Sequence, residues 1–158
     1  MTLSIPWRIL CLSNDLLADD AFGWAVAEEL RQLPAEVVCA SEAGFDLLDY
    51  ILNVSSLAVV DTILTGTADP GTVYVLGDED LRVTSGSSPH YTGLMEVLQL
   101  GERLALPIPE KVVIIAVEAA DCLTVGGAMH PAVRDAVPRV VNLIRRLVDG
   151  CTPRDLSW

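Results

Sequence analysis

The side chains in this sequence best suited to bind a divalent metal ion belong to Asp20, Asp61 and His90. Carboxylate oxygens and imidazole nitrogens are common metal ligands, and three protein ligands with an open coordination position are typical of catalytic metal sites. A metal held in this way can activate water or polarise a carbonyl group. Each residue taken alone has an ordinary interpretation. Asp19 and Asp20, for example, stand where the N-cap and first-turn acids of a helix belong. The three candidate ligands therefore matter only if the fold brings them together.

Four short runs of β-branched residues alternate with segments of helical periodicity, which is the pattern of βαβ units on a parallel sheet. The runs predict strands at 8–12, 36–40, 57–60 and 111–117, and the periodic segments predict helices at 22–30, 47–52, 91–104 and 132–148. A further strand at 72–76 follows the turn at 69–71 without room for a helix, so it is predicted to be antiparallel to its neighbour. We therefore expect an α/β domain with a twisted, mostly parallel sheet of about five strands, one antiparallel strand, and helices on both faces.

This arrangement places the candidate ligands at one edge of the sheet. Asp20 follows the first predicted strand, Asp61 ends the third, and His90 lies in a Ser/Gly/Pro loop before the third helix. In open α/β sheets ligands bind outside the carboxyl ends of the strands. We therefore expect the three side chains to meet in a cleft at that edge.

Three further acids reach the same edge of the predicted sheet. Glu42 follows the second strand, and it is equally consistent with a functional acid at this edge and with an exposed loop acid. Glu118 and Asp121 follow the last strand, either as acids that support the metal ligands or as part of a solvated turn.

Composition limits the possible functions. The chain has 158 residues, of which 1–150 are expected to form one domain and 151–158 a short, loose tail. A formal net charge of −12 argues against a nucleic-acid partner, because nucleic-acid binders concentrate positive charge. The four cysteines are scattered without a CxxC pair, which favours buried free thiols in a reducing cytoplasm. The apolar runs are far shorter than the ~20 residues of a membrane helix, so no membrane insertion is expected. A glycine-rich dinucleotide loop, a Walker A loop and a GxSxG motif are all missing from the sequence.

From about residue 8 to residue 148, the sequence resembles the hydrogenase maturation endopeptidases. The matching segments occur in the family's order, and they are 14–30, 44–48, 59–61, 70–74 and 88–90. The resemblance implies a mixed sheet between helices and an enzyme that removes the C-terminal extension of a nickel-iron hydrogenase large-subunit precursor after nickel insertion. It also implies that Asp20, Asp61 and His90 are the metal ligands and that the metal is nickel presented by the substrate. Such a site also accepts zinc, cadmium or manganese.

The sequence departs from the family pattern after the second predicted strand. Where the family commonly has Asp-Gly-Gly-Thr, this chain has Cys-Ala-Ser-Glu at 39–42, and Glu42 is a candidate substitute for the missing acid in substrate recognition. This departure leaves open a non-catalytic checkpoint protein that binds the metal-loaded precursor without cutting it. A small-molecule binding domain on the same fold is a second alternative.

Overall fold

The computed structural model describes residues 7–14, 16–42, 44–77 and 89–156, and of residues 89–93 it describes the backbone alone. The strands in these ranges form one five-stranded sheet in the order β2-β1-β3-β5-β4. They are β1 (Trp7–Leu12), β2 (Glu36–Ala40), β3 (Ser56–Ile63), β4 (Val73–Leu76) and β5 (Lys111–Glu118). β4 pairs with β5 in antiparallel orientation, and the other neighbouring strands are parallel. The predicted fold class is confirmed.

In the described ranges four α-helices accompany the sheet, namely α1 (Phe22–Glu29), α2 (Leu48–Ile51), α3 (Pro89–Arg103) and α4 (Pro131–Val148). Because α3 begins at Pro89, His90 lies in the first helical turn and not, as predicted, in the loop before the helix. Proline suits this position, since its φ angle is preset and its missing amide would have no intrahelical partner there. The rest of the predicted loop, residues 85–88, lies outside the described residues.

Helices cover both faces of the sheet. Ile9 and Cys11 of β1 belong to the core formed with α1 and α4. Leu10 and Leu12 belong to the core formed with α2 and α3. Because successive strand residues point to opposite faces, a strand covered on both sides must be apolar throughout. This explains why the central strands appear in the sequence as unbroken hydrophobic runs.

The C-terminal part of the chain packs more tightly than expected. One face of α4 is apolar at intervals of three and four residues, as a core-facing helix requires, with Val133, Ala136, Val140, Ile144 and Leu147 buried. Beyond this helix, Leu156 is only 4% exposed and joins the core next to α1 and α4. The expectation of a loose tail is therefore wrong as far as Leu156. In the described part of the chain, no helix has both the length and the apolar character needed to cross a membrane.

All four cysteines are free, as expected, but only Cys11 is buried. Cys39 is exposed because its strand, β2, is at the edge of the sheet.

The strand order creates a cleft. From β1 the chain adds β2 on one side, and it then returns to add β3 on the other side of β1. In doubly wound sheets this reversal leaves a crevice outside the carboxyl ends of the two central strands, where ligands bind. Here that crevice lies at the ends of β1 and β3.

Candidate functional site

Asp20 lies in a short 3₁₀ turn, Ala18–Ala21, that connects the end of β1 to α1. Its side chain is buried, and the Thr62 hydroxyl donates a hydrogen bond of 2.9 Å to Asp20 Oδ1. The Asn14 amide donates to Oδ2 at 3.2 Å. The predicted helix-capping role is wrong, because the residue before α1 is Ala21 and no side chain caps that end. A fixed and mostly buried carboxylate at this edge is consistent with a ligand.

Close packing at Gly23 holds this turn against the sheet. A Cβ atom at Gly23 would lie 2.9 Å from the Leu12 carbonyl oxygen and 3.0 Å from Ser13 Cβ. The start of α1 can therefore approach the end of β1 only with glycine at this position. The Ser13 hydroxyl completes the contact by donating to the Asp20 carbonyl oxygen at 2.9 Å and accepting from the Trp24 amide at 3.0 Å.

The sequence suggested that Asp61 ends the third strand, but the structure places Asp61 inside β3, two residues before its end. Thr62 and Ile63 continue the strand by pairing with Val117 and Glu118 of β5. Asp61 is 2% exposed, and the Thr62 amide donates to Asp61 Oδ1 at 2.8 Å. Since the Thr62 hydroxyl donates to Asp20, a single threonine connects the two carboxylates. No sequence signal points to Thr62, because a threonine in a strand has no local pattern that indicates such a role.

Asp19, next to Asp20, has a different environment. Its carboxylate accepts three backbone hydrogen bonds of 2.7 to 2.8 Å, from the amides of Ala120, Asp121 and His130. It is 1% exposed. The carboxylate therefore ties the loop after β5 to the turn that carries Asp20. Its partners are 101 to 111 residues away in the sequence, so no local pattern could have revealed this role.

Glu118 is also a structural acid. Its carboxylate accepts hydrogen bonds from the amide and hydroxyl of Thr65 and, at 3.0 Å, from the Tyr74 hydroxyl. Burial acts to raise the pKa of Glu118, but these hydrogen bonds outweigh burial and hold the pKa below its usual range. Glu118 thus anchors the loop that follows β3.

Asp121 belongs to a turn. Its side chain accepts hydrogen bonds from the Thr124 hydroxyl and from the amides of Leu123 and Thr124, and these bonds lower its pKa. The turn interpretation is therefore the one that the contacts support.

Cys122 is a neighbour of the site that the sequence analysis did not identify. Its thiol donates to the Thr62 hydroxyl oxygen at 3.7 Å. Burial raises the pKa of Cys122 to about 11, and the negative charges of Asp20, Asp19 and Asp61 also raise it. The side chain is consequently a neutral thiol at physiological pH. The raised pKa of Cys122 thus shows that several acids lie close together at this edge of the sheet.

His90 and Glu42 are only partly defined. The backbone of His90 lies in the first turn of α3, and its side chain is outside the described atoms. Glu42 follows β2 and hydrogen-bonds to Tyr50, whose pKa it raises. Among the side chains that the structure describes, no group of three or more His, Cys, Asp and Glu residues is arranged to hold a metal ion. The three-ligand site therefore stays a prediction, of which the structure describes the two carboxylates.

Together these features define a class of protein, a doubly wound α/β domain with buried carboxylates in the crevice at its reversal point. Residues 25–147 match the hydrogenase maturation protease family, HycI. The chain belongs to this family.

Relatives of known sequence and structure agree with this assignment. The chain is 34% identical to the Hydrogenase 2 maturation protease of Escherichia coli K12, over 69% of this chain and 70% of that protein. It is 26% identical to the hydrogenase expression/formation protein HupD of Rhizobium leguminosarum bv. viciae, over 89% of this chain and 72% of that protein. The solved structure of the hydrogenase maturating endopeptidase HybD from Escherichia coli is similar with a TM-score of 0.79 and 26% identity, covering 91% of this chain and 92% of that one.

Proposed function

We propose that this protein is an endopeptidase that removes the C-terminal extension of a nickel-iron hydrogenase large-subunit precursor after nickel has been inserted. Family membership supports the peptidase class, and the similarity to hydrogenase maturation proteases supports a hydrogenase precursor as the substrate. The observation that carries the proposal is the pair of buried carboxylates, Asp20 and Asp61, connected through Thr62 in the crevice. Burying ionised carboxylates is unfavourable unless hydrogen bonds or a cation compensate their charge.

The chemistry of the proposed donors supports a divalent metal ion as the ligand of the crevice. Two carboxylates supply oxygen ligands, and His90 in the first turn of α3 is the proposed nitrogen ligand. Leu57 and Val59 belong to the core under α2 and α3, so strand alternation places Asp61 on the same face of the sheet. The helix that carries His90, α3, covers this face. The metal is proposed to be nickel that the substrate brings with it, and zinc or cadmium can occupy the same ligands. A metal held by these residues would supply Lewis-acid chemistry, which polarises a scissile carbonyl or activates water.

The surrounding residues keep the ligands in position. Thr62 orients Asp20 through its hydroxyl and Asp61 through its amide. Asp19 ties the turn that carries Asp20 to the loop after β5. Glu42, at the end of the edge strand, is proposed to contact the substrate. The protein is proposed to act in the cytoplasm, where reducing conditions keep its four free cysteines from forming disulfides.

The test is cleavage of a nickel-loaded large-subunit precursor, followed by mass spectrometry of its C-terminus. We expect the wild type to make one cut, and we expect Asp61→Asn and His90→Ala to abolish the cut while keeping the circular dichroism spectrum. Asp135→Asn, an exposed change on α4, is the matched control and should cut normally. Precursor freed of nickel with a chelator should stay intact.

Two results would overturn the proposal. Cleavage of the metal-free precursor at the rate of the loaded one would exclude recognition of the metal. Tight binding of the loaded precursor without any cleavage would instead identify the protein as a checkpoint.

A further inference from the structure

The outer edge of β2 offers unpaired backbone groups. β2 is the first strand of the sheet order, so within the described ranges it pairs with β1 alone. The Ser13 amide donates to the Ala40 carbonyl at 2.9 Å, which means that the backbone groups of Ala40 face β1. Because backbone groups alternate in direction along a strand, those of Val37 and Cys39 face outward. An exposed edge of this kind is a template for one more strand.

A groove runs beside this edge on the side of α1. It consists of two adjoining cavities of about 350 and 190 Å³ that share Trp24 and Cys39 in their walls. We call it the edge groove, and its other lining residues include Glu28, Arg31, Val37, Ser13 and Ser41. The Trp24 side chain is 49% exposed, which leaves a large aromatic surface open beside the unpaired strand. Aromatic residues in such positions are typical anchors for a bound partner.

The edge groove is continuous with the candidate site. Ser13 lines its smaller cavity, and the Ser13 hydroxyl is bonded both to the Asp20 carbonyl and to the Trp24 amide. A chain lying along β2 would therefore pass from Trp24 directly to the turn that carries Asp20.

We propose that the edge groove binds the C-terminal segment of the precursor as an extended strand added to β2. This inference rests on the proposed function. The backbone of the segment pairs with Val37 and Cys39, and one of its side chains packs on Trp24. β2 has five residues, enough to pair with a peptide segment about 17 Å long. Backbone pairing supplies affinity for any extended peptide, and the contact with Trp24 supplies selectivity.

Charge favours a partner peptide over a second copy of this chain. The protein has a formal net charge of −12, so edge-to-edge pairing of two copies would bring two strongly negative molecules together. Glu28 lines the groove, and its one described basic partner is Arg31, with which it forms an ion pair. Because Arg31 lines the same cavity, this pair leaves little net charge in the groove wall, and the net charge of the whole chain is what favours a neutral or basic peptide over another acidic copy.

Cys39 makes the proposal directly measurable, because its thiol is exposed in the groove wall. A hydrogen bond from Cys11 lowers the pKa of Cys39 to about 7, so N-ethylmaleimide should label it at neutral pH. Labelling is followed by peptide mass spectrometry with and without saturating precursor, and Cys151, which lies after α4, is the internal control. We expect the precursor to slow labelling of Cys39 at least tenfold and to leave labelling of Cys151 unchanged.

The kinetic test compares Trp24→Ala with Leu104→Ala, a change of another exposed apolar residue directly after the C-terminal end of α3. Trp24→Ala should raise KM for the precursor about tenfold, which corresponds to about 1.4 kcal/mol, with kcat within twofold of wild type. Trp24→Phe should recover most of the loss, and Leu104→Ala should match wild type.

The outcomes separate the two proposals. If Cys39 is labelled equally with and without precursor while the precursor is still cleaved, the proposal that the edge groove binds the precursor is wrong and the proposed peptidase function stands. Protection of Cys39 by a precursor that is never cleaved would support the groove and refute the peptidase. Protection that increases with protein concentration in the absence of precursor would show that a second copy occupies the groove, which would overturn the proposal.

Discussion

Two groups of buried acids lie at the carboxyl end of the sheet, and they differ in how many hydrogen-bond donors they receive. Toward β5, Asp19 accepts hydrogen bonds from three backbone amides, and Glu118 accepts hydrogen bonds from one amide and two hydroxyls. In the crevice between β1 and β3, Asp20 accepts one hydroxyl and one long contact from an amide. An ionised carboxylate has about four acceptor sites, so Asp19 and Glu118 are nearly saturated by the protein whereas Asp20 keeps capacity for a ligand. Burial alone therefore does not separate these acids, whereas the number of donors among the described residues distinguishes Asp20 from Asp19 and Glu118.

The largest expected effect comes from neutralising the crevice acids. Asp20→Asn should lower the rate of precursor cleavage by more than about 100-fold, because the loss of a direct ligand should exceed the 10- to 100-fold cost of losing a supporting group. Stability should stay within about 1 kcal/mol of wild type, since the change also removes repulsion between neighbouring acids. Cleavage kinetics and urea denaturation of the same samples test both expectations. A variant that unfolds readily and still cuts would place Asp20 with the structural acids.

Asp19→Asn should have the opposite effect to Asp20→Asn, namely a large loss of stability. An amide nitrogen would replace one of the two oxygens that accept backbone amides, and hydrogen bonds to charged groups contribute about 1.5 to 3 kcal/mol each. We therefore expect a loss of about 3 kcal/mol in the free energy of unfolding, measured by urea denaturation with Asp135→Asn as the exposed control. An unchanged unfolding midpoint would show that these bonds are not important for the fold.

Glu118→Gln should cost about 2 kcal/mol at pH 7, because the anchored loop after β3 would lose its charged acceptor. The folded-state pKa of Glu118 lies below the ordinary value of 4.5. Its contribution is therefore complete above about pH 4.5 and is lost as the pH falls through the lower, folded-state value. Wild type and variant should thus converge in stability as the pH is lowered below 4.5. A difference that stays constant from pH 7 to pH 3 would show that the charge of Glu118 is not involved.

The smallest effect is expected for Thr62, which connects the two crevice acids. Thr62→Val keeps the shape and the backbone amide but removes the hydroxyl that orients Asp20. The rate of cleavage should therefore fall about tenfold, the lower limit of the 10- to 100-fold loss typical of residues that support a metal ligand. Thr62→Ser, which retains the hydroxyl, should restore most of the activity. Equal rates for all three proteins would mean that the orientation of Asp20 does not depend on Thr62.

The sequence by itself determined the elements of this protein and the edge of the sheet at which the candidate residues Asp20 and Asp61 lie. Periodicity and β-branched runs are local properties, and they located β2 at its observed bounds and the other strands within a few residues. The rule that ligands bind outside the carboxyl ends of parallel strands then predicts that Asp20 and Asp61 are candidate ligand residues. That rule needs only the order of the elements along the chain.

Tertiary structure decided the role of each acid, because hydrogen-bond partners are set by contacts between distant segments. Asp19 and Asp20 are adjacent in sequence, yet Asp19 is satisfied by amides more than 100 residues away and Asp20 by Thr62. β3 extends past Asp61 because β5 supplies pairing partners there. The edge groove likewise depends on strand order, which leaves β2 unpaired on its outer side within the described residues. Pairing and register are long-range properties, and a local pattern contains no information about them.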